Sequence, residues 1–162
     1  MQNTTTGRGS NSASYGANAF LGICHSISYE GQAAIELESH VDRLDSQSYT
    51  IKINGDEIMS LDLISQILTD FRAGVSVPAL AARFHNSIAR LCLACCETIR
   101  SESSINLVAL SGGVWQNTTL LVKTSALLQS AGFTVLSHQR VPANDGGIAL
   151  GQILIADAIL KQ

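Results

Sequence analysis

The chain contains no run of eighteen or more apolar residues, and its start lacks a charged region followed by an apolar stretch. Neither a membrane span nor a secretory signal is therefore expected, and the expected location is cytoplasmic. Charge is also sparse: 14% of the 162 residues are Asp, Glu, Lys or Arg, the formal net charge is -3, and the basic residues are scattered. Without a basic stripe, nucleic acid is not expected as a direct ligand, and no acidic tail is present. Cysteine is limited to Cys24, Cys92, Cys95 and Cys96, with no second CxxC pair. These are expected to be reduced thiols packed in a core, and a lone metal- or redox-active Cys92-x-x-Cys95 is the weaker alternative. The common ligand signatures are missing as well: there is no GxGxxG, no GxxxxGKS/T, no HxxxH among His25, His40, His85 and His138, and no GxSxG.

What the chain does have is apolar residues, 46% of the total, and a length that fits one domain with its own core. That balance is unusually apolar for a soluble domain, so some apolar surface is expected to meet a partner. Residues 1–15, rich in Asn, Thr, Ser and Gly, are expected to form a flexible leader, and residues 16–162 a single lobe. Helices are predicted at 17–25 and 29–41, on either side of the Tyr29-Glu30-Gly31-Gln32 turn. Residues 49–53 alternate and run into Asn54-Gly55, a type I′ hairpin signal, with a return strand at 57–59. Ser60 is placed to cap a helix with Leu61, Ile64, Ile67, Leu68 and Phe71 on one face, ending at Gly74. Ser76 is placed to cap the longest helix, whose stripe is Val77, Ala81, Phe84, Ile88, Leu91, Cys95 and Ile99.

The carboxy-terminal third reads as strand 105–110, helix 117–131 and strand 133–137, a βαβ unit with parallel strands. A last helix over 148–160 is apolar almost all round and is therefore expected to be buried. The predicted class is α/β, a mixed sheet with a parallel βαβ unit packed by helices. Each predicted strand of the unit is followed by a loop with a double glycine, Ser111-Gly112-Gly113 and Asn144-Asp145-Gly146-Gly147. Glycine allows close backbone approach, and the free N–H groups of a helix start suit an anion, so these loops are the candidate ligand site. A plain strand-to-helix turn is the competing reading.

Asn117 is either a ligand contact or the N-cap of the helix that follows it, with the cap the safer role. Asp145 is either a metal-ligating carboxylate or a helix cap, and as a ligand it needs partners from elsewhere. Glu30 is either a polar contact at a ligand or a carboxylate that favours a helix dipole. His85 is read as a helix-packing residue and His138 as a solvated loop residue. Ser111, His138 and Asp145 form a Ser-His-Asp set on paper, with no nucleophile elbow to support it.

Four blocks carry a resemblance: Ser28-Tyr29-Glu30-Gly31-Gln32-Ala33-Ala34-Ile35-Glu36-Leu37-Glu38, Ala82-Arg83-Phe84-His85-Asn86, Leu110-Ser111-Gly112-Gly113-Val114-Trp115-Gln116-Asn117 and Val141-Pro142-Ala143-Asn144-Asp145-Gly146-Gly147-Ile148-Ala149-Leu150-Gly151-Gln152. Together they resemble, over about residues 20–160, the carboxy-terminal end of HypF-type carbamoyltransferases. The resemblance implies the second lobe of a TsaD-like transfer domain, with the ribonuclease-H-like, actin-like ATPase (ASKHA) fold. It implies an activity in [NiFe] hydrogenase maturation, in which carbamoyl adenylate made from carbamoyl phosphate and ATP delivers its carbamoyl group to the terminal cysteine of HypE. On the same basis Ser111, Gly112, Gly113 and Asn117 would contact an ATP- or AMP-type nucleotide, Glu30, Gly31 and Gln32 would border that cleft, and Asp145 would ligate a divalent metal.

The family's metal-binding histidines belong to the first lobe, and Arg8 here precedes Gly9-Ser10-Asn11-Ser12 where the family carries an apolar helix. The expectation is therefore a half-domain inactive alone and carrying no bound cofactor. Its partner would be a HypE-like protein or a chain supplying the first lobe. The alternative is a non-catalytic homodimeric module.

Overall fold

The computed structural model describes residues 23, 28–29, 31–55 and 57–161. The leader, nearly all of the helix predicted at 17–25, Cys24 and Glu30 lie outside the described residues. Two compact units are present, Met1–Ala94 and Cys95–Gln162.

In the first unit, α1 (Gln32–Ser39) buries Ala33 and Leu37. A short hairpin follows, β1 (Ile53–Asn54) antiparallel to β2 (Glu57–Ile58), with Asn54 opposite Glu57. The hairpin is shorter than predicted and its turn starts at Gly55 instead of Asn54. Both strands are exposed, so no buried face extends the ladder. Helix α2 (Ser60–Arg72) begins one residue early: Met59 holds the N-cap position and Ser60 is already helical, so Ser60 is not the cap. Its buried face is Leu63 and Ile67, while Leu61 is 77% exposed. The stripe is rotated from the predicted one because Leu63 and Ile67 are the side chains that meet Leu37, Leu80, Ala81 and Phe84 in the core.

Helix α3 (Val77–Ser103) accepts its first-turn bond from Leu80 N–H at the Ser76 carbonyl, as a helix starting after Ser76 requires. Around residues 80–89 it is buried on nearly all sides, including polar His85, Asn86 and Ser87. The predicted stripe missed these because their partners are distant in sequence. Asn86 Nδ2 donates to the carbonyls of Asp45 (3.0 Å) and Gln47 (2.7 Å), and Tyr49 N–H donates to Ser87 Oγ (2.7 Å). His85 is a packing residue, with Nδ1 2.8 Å from the Ala81 carbonyl and its ring edge-on to Phe84.

A charged cluster holds the irregular 42–50 segment to both long helices. Arg83 donates to Asp45 (3.1 Å) and Asp70 (2.7 Å), and the Tyr49 hydroxyl donates to the same Asp70 oxygen (2.9 Å). Burial, then the bond to the Asp70 carboxylate, pushes the Tyr49 phenol well above its ordinary range.

The second unit is the predicted βαβ arrangement. Strand β3 (Leu107–Leu110) pairs in parallel with β4 (Thr134–Ser137), joined through α4 (Thr118–Ser130). Leu110, Leu120, Thr124, Leu128 and Phe133 are buried, and the Arg100 guanidinium lies 4.0 Å from the Phe133 ring centre while bonding the Ala131 carbonyl. The parallel and antiparallel pairs form separate two-stranded sheets among the described residues. Helix α5 (Ile148–Leu160) has the predicted bounds but not the predicted burial: its large apolar side chains are 45–87% exposed. All-round apolarity requires a cover, and the described residues supply none. No helix among them is long and apolar enough to cross a membrane. Cys92, Cys95 and Cys96 are half-buried and in no disulfide, and burial pushes the Cys96 thiol above its ordinary value.

Removing Arg83 as Arg83→Met should cost about 1–3 kcal/mol in urea unfolding, because Asp45 and Asp70 then face each other's charge without a cation. The folded chain holds the Tyr49 proton more tightly than the unfolded chain, so this contribution is complete below about pH 10 and is lost as pH rises above it. In Tyr49→Phe the urea midpoint should fall less steeply above pH 10 than in the parent; an identical alkaline limb would remove Tyr49 from the account.

Candidate functional site

The register of the parallel pair runs from Leu107↔Thr134 to Leu110↔Ser137, so Ser111 and His138 are the next residue of each strand at its carboxyl end. Neighbouring residues in such a pair project to the same face, and here the Ser111 Oγ lies 2.9 Å from His138 Nε2. One residue on, the Gly112 N–H donates to the Ala143 carbonyl at 2.9 Å and ties the two glycine loops together. Gly112 has φ 104° and ψ 163°, a region essentially confined to glycine. The chain then makes a 3-10 turn over Gly113–Gln116 before α4.

The second loop is shaped by its own side chains. Asn144 Oδ1 accepts the Gly146 N–H at 3.1 Å, and the Asn144 carbonyl accepts the Gly147 N–H at 3.0 Å, opening a 3-10 turn (Asp145–Gly147) that leads into α5. A β-carbon on Gly147 would stand 2.9 Å from the Pro142 carbonyl oxygen. A cavity of about 310 Å³ results, with Ser111, Gly112, His138, Asn144, Asp145 and Ile148 in its wall. This is the low end of small-molecule sites.

Of the predicted site residues, Ser111, Gly112 and Asp145 therefore share one cavity, and Gly113 starts the adjoining turn. Asn117 takes the cap role, its Oδ1 accepting the Leu120 N–H at 2.8 Å. Gly31 and Gln32 lie in the first unit. Gly31 is the left-handed N-cap of α1, and the Gln32 amide accepts from Ser28 and donates to Glu36. Asp145 is exposed, and among the described residues no group of three or more His, Cys, Asp or Glu side chains could hold a metal ion. One carboxylate does not make a metal site, so a metal fits only with donors from outside these residues.

His138, read from sequence as solvated, is exposed yet bonded to Ser111. The signal that could have found this pairing is the parallel register, obtained by aligning the ends of the two predicted strands. A cavity of about 360 Å³ in the first unit is lined by Gln47, Tyr49, Gln66, Asp70 and Arg83, whose charged groups already satisfy one another.

Residues 5–152 match the family described as "Carbamoyltransferase, Kae1-like Domain, second subdomain". The chain belongs to the HypF carbamoyltransferase family. It is 36% identical over 144 residues to carbamoyltransferase HypF of Synechocystis sp., covering 86% of this chain and 18% of that protein. It is 37% identical to the Rhodobacter capsulatus HypF, covering 88% of this chain and 18% of that one. A crystal structure of full-length HypF in a phosphate- and nucleotide-bound form superposes with a TM-score of 0.82 at 37% identity, covering 90% of this chain and 20% of that one. HypF of T. kodakarensis, at 24% identity and a TM-score of 0.75, shares the fold over 91% of this chain and 20% of its own. The chain thus spans about a fifth of the length of the HypF proteins it matches.

Three alanine substitutions separate the roles of the glycines in and beside this cavity. Gly147→Ala should cost about 1–3 kcal/mol through the Pro142 contact, and Gly112→Ala about 1–3 kcal/mol through backbone strain alone. Gly113→Ala meets open space and should stay within about 0.5 kcal/mol of wild type. Equal costs at all three positions in urea unfolding would contradict this assignment.

Proposed function

We infer that this chain is the nucleotide-facing edge of a HypF-type carbamoyl-transfer site, one wall of a cleft whose other wall is a first lobe. The observation that carries the reading is the Gly112–Ala143 bond, which joins both glycine loops around one cavity at the carboxyl ends of parallel strands, where α/β folds receive ligands. Ser111, Gly112 and Gly113 form the part that would meet the phosphates and ribose of an ATP- or AMP-type nucleotide. Asp145 supplies one ligand to a divalent metal whose remaining donors come from the opposite lobe. The reaction served is transfer of a carbamoyl group from carbamoyl adenylate to the terminal cysteine of a HypE-like protein in hydrogenase maturation. Cys92, Cys95 and Cys96, which are in no disulfide, suit a reducing, cytoplasmic setting. Alone, one wall binds weakly and does not turn over.

The exposed apolar length of α5 favours a second reading, a homodimeric interaction module without chemistry. Light scattering on a sizing column decides it, since a strict monomer across the micromolar range excludes the dimer.

For the nucleotide reading, 10 mM ATP with a divalent metal should raise the melting temperature by about 3–6 °C if the dissociation constant is about 1 mM. Asp145→Ala should remove the metal-dependent part of that shift and leave the fold unchanged. An unaltered shift would reduce Asp145 to a helix-start carboxylate, and no shift in the parent chain would reject nucleotide binding.

A further inference from the structure

The Ser111–His138 contact has no part in the reading above, and its position is dictated by the sheet. Both residues follow the last registered pair, Leu110↔Ser137, and their side chains stand 2.9 Å apart in the wall of the cavity. A serine hydroxyl has one proton, and its direction is set by the strongest acceptor within reach. Neutral imidazole protonated on Nδ1 offers Nε2 as that acceptor, so the Ser111 proton points at the ring and only oxygen lone pairs face the cavity. Imidazolium can only donate: Nε2–H then bonds to Oγ, and the hydroxyl proton is released towards the cavity, where it can meet an anion.

We propose that His138 is a positioning residue that aims the Ser111 hydroxyl, so that Ser111 becomes a hydrogen-bond donor to a ligand phosphate oxygen when the imidazole is protonated. This deepens the nucleotide reading and rests on it. Asp145 lines the same cavity as the imidazole, in the turn before α5, and Arg140 follows His138 two residues along the loop.

The test is the ratio of ATP affinities, parent over Ser111→Ala, measured with magnesium at pH 5.5 and pH 8.5. The titration of ATP itself cancels in that ratio. The parent should exceed Ser111→Ala by about three- to tenfold at pH 5.5, one hydrogen bond's worth, and by little at pH 8.5. In the His138→Gln background the ratio should be the same at both pH values. Nitrogen-detected NMR at pH 8.5 should find the His138 proton on Nδ1. An equal ratio at both pH values in the parent, a pH-dependent ratio that survives His138→Gln, or a neutral imidazole protonated on Nε2 would each overturn the proposal and leave nucleotide binding standing. No ATP binding by the parent at either pH rejects the nucleotide reading, and this inference with it.

Discussion

One parallel strand pair sets the geometry of the candidate site. Because β3 and β4 run in the same direction and in register up to Leu110↔Ser137, both chains leave the sheet at one edge. Everything in the cavity wall follows from that exit. Ser111 meets His138, Gly112 reaches Ala143, and the second loop can then wind its Asn144-capped turn into α5. An antiparallel pairing would send the two glycine loops to opposite ends of the strands. The glycines come second in this order of causes: they permit the close contact that the register demands, at Gly112 through its backbone region and at Gly147 through the space beside Pro142.

The two units are held by different physics. In Met1–Ala94 an apolar core of Leu37, Leu63, Ile67, Leu80 and Phe84 is roofed by an irregular segment that carries almost no regular backbone pairing. Its carbonyls and N–H groups are satisfied largely by side chains, Asn86 and Ser87 of α3, Gln66 of α2 and its own Asp42 and Asp45, and its charge by Arg83. Such a roof depends on each partner, since an unpaired polar group in a half-buried layer costs more than a hydrogen bond gains. In Cys95–Gln162 the backbone pairs with itself in sheet and helix, and side chains are left over for the cavity.

What could be read from the sequence was what depends on near neighbours. The βαβ order, the Asn117 cap and the bounds of α5 follow from spacing within a few residues, and the structure has them. Hidden were the relations that span distance or depend on something outside the chain. Asn86 looks like an ordinary polar residue on a helix until Asp45 and Gln47, some forty positions earlier, come to rest against it. Leu61 and Leu63 are equivalent by composition, and only the core formed with Leu37, Leu80 and Phe84 decides which is inside. Ser111 and His138 are 27 residues apart and meet only once the register is known. The expected burial of α5 failed for the complementary reason, because apolarity states a need for cover without saying where the cover comes from.

That last helix bears on the cavity. Thirteen residues are close to the shortest length at which a helix is even marginally stable by itself in water. Ile148, its first residue, is part of the cavity wall, and Asp145 is three residues before it. A surface laid over α5 would therefore stiffen the same stretch of backbone that a ligand must find in place. Assembly and ligand capture would then be thermodynamically linked, each favouring the other by the same factor.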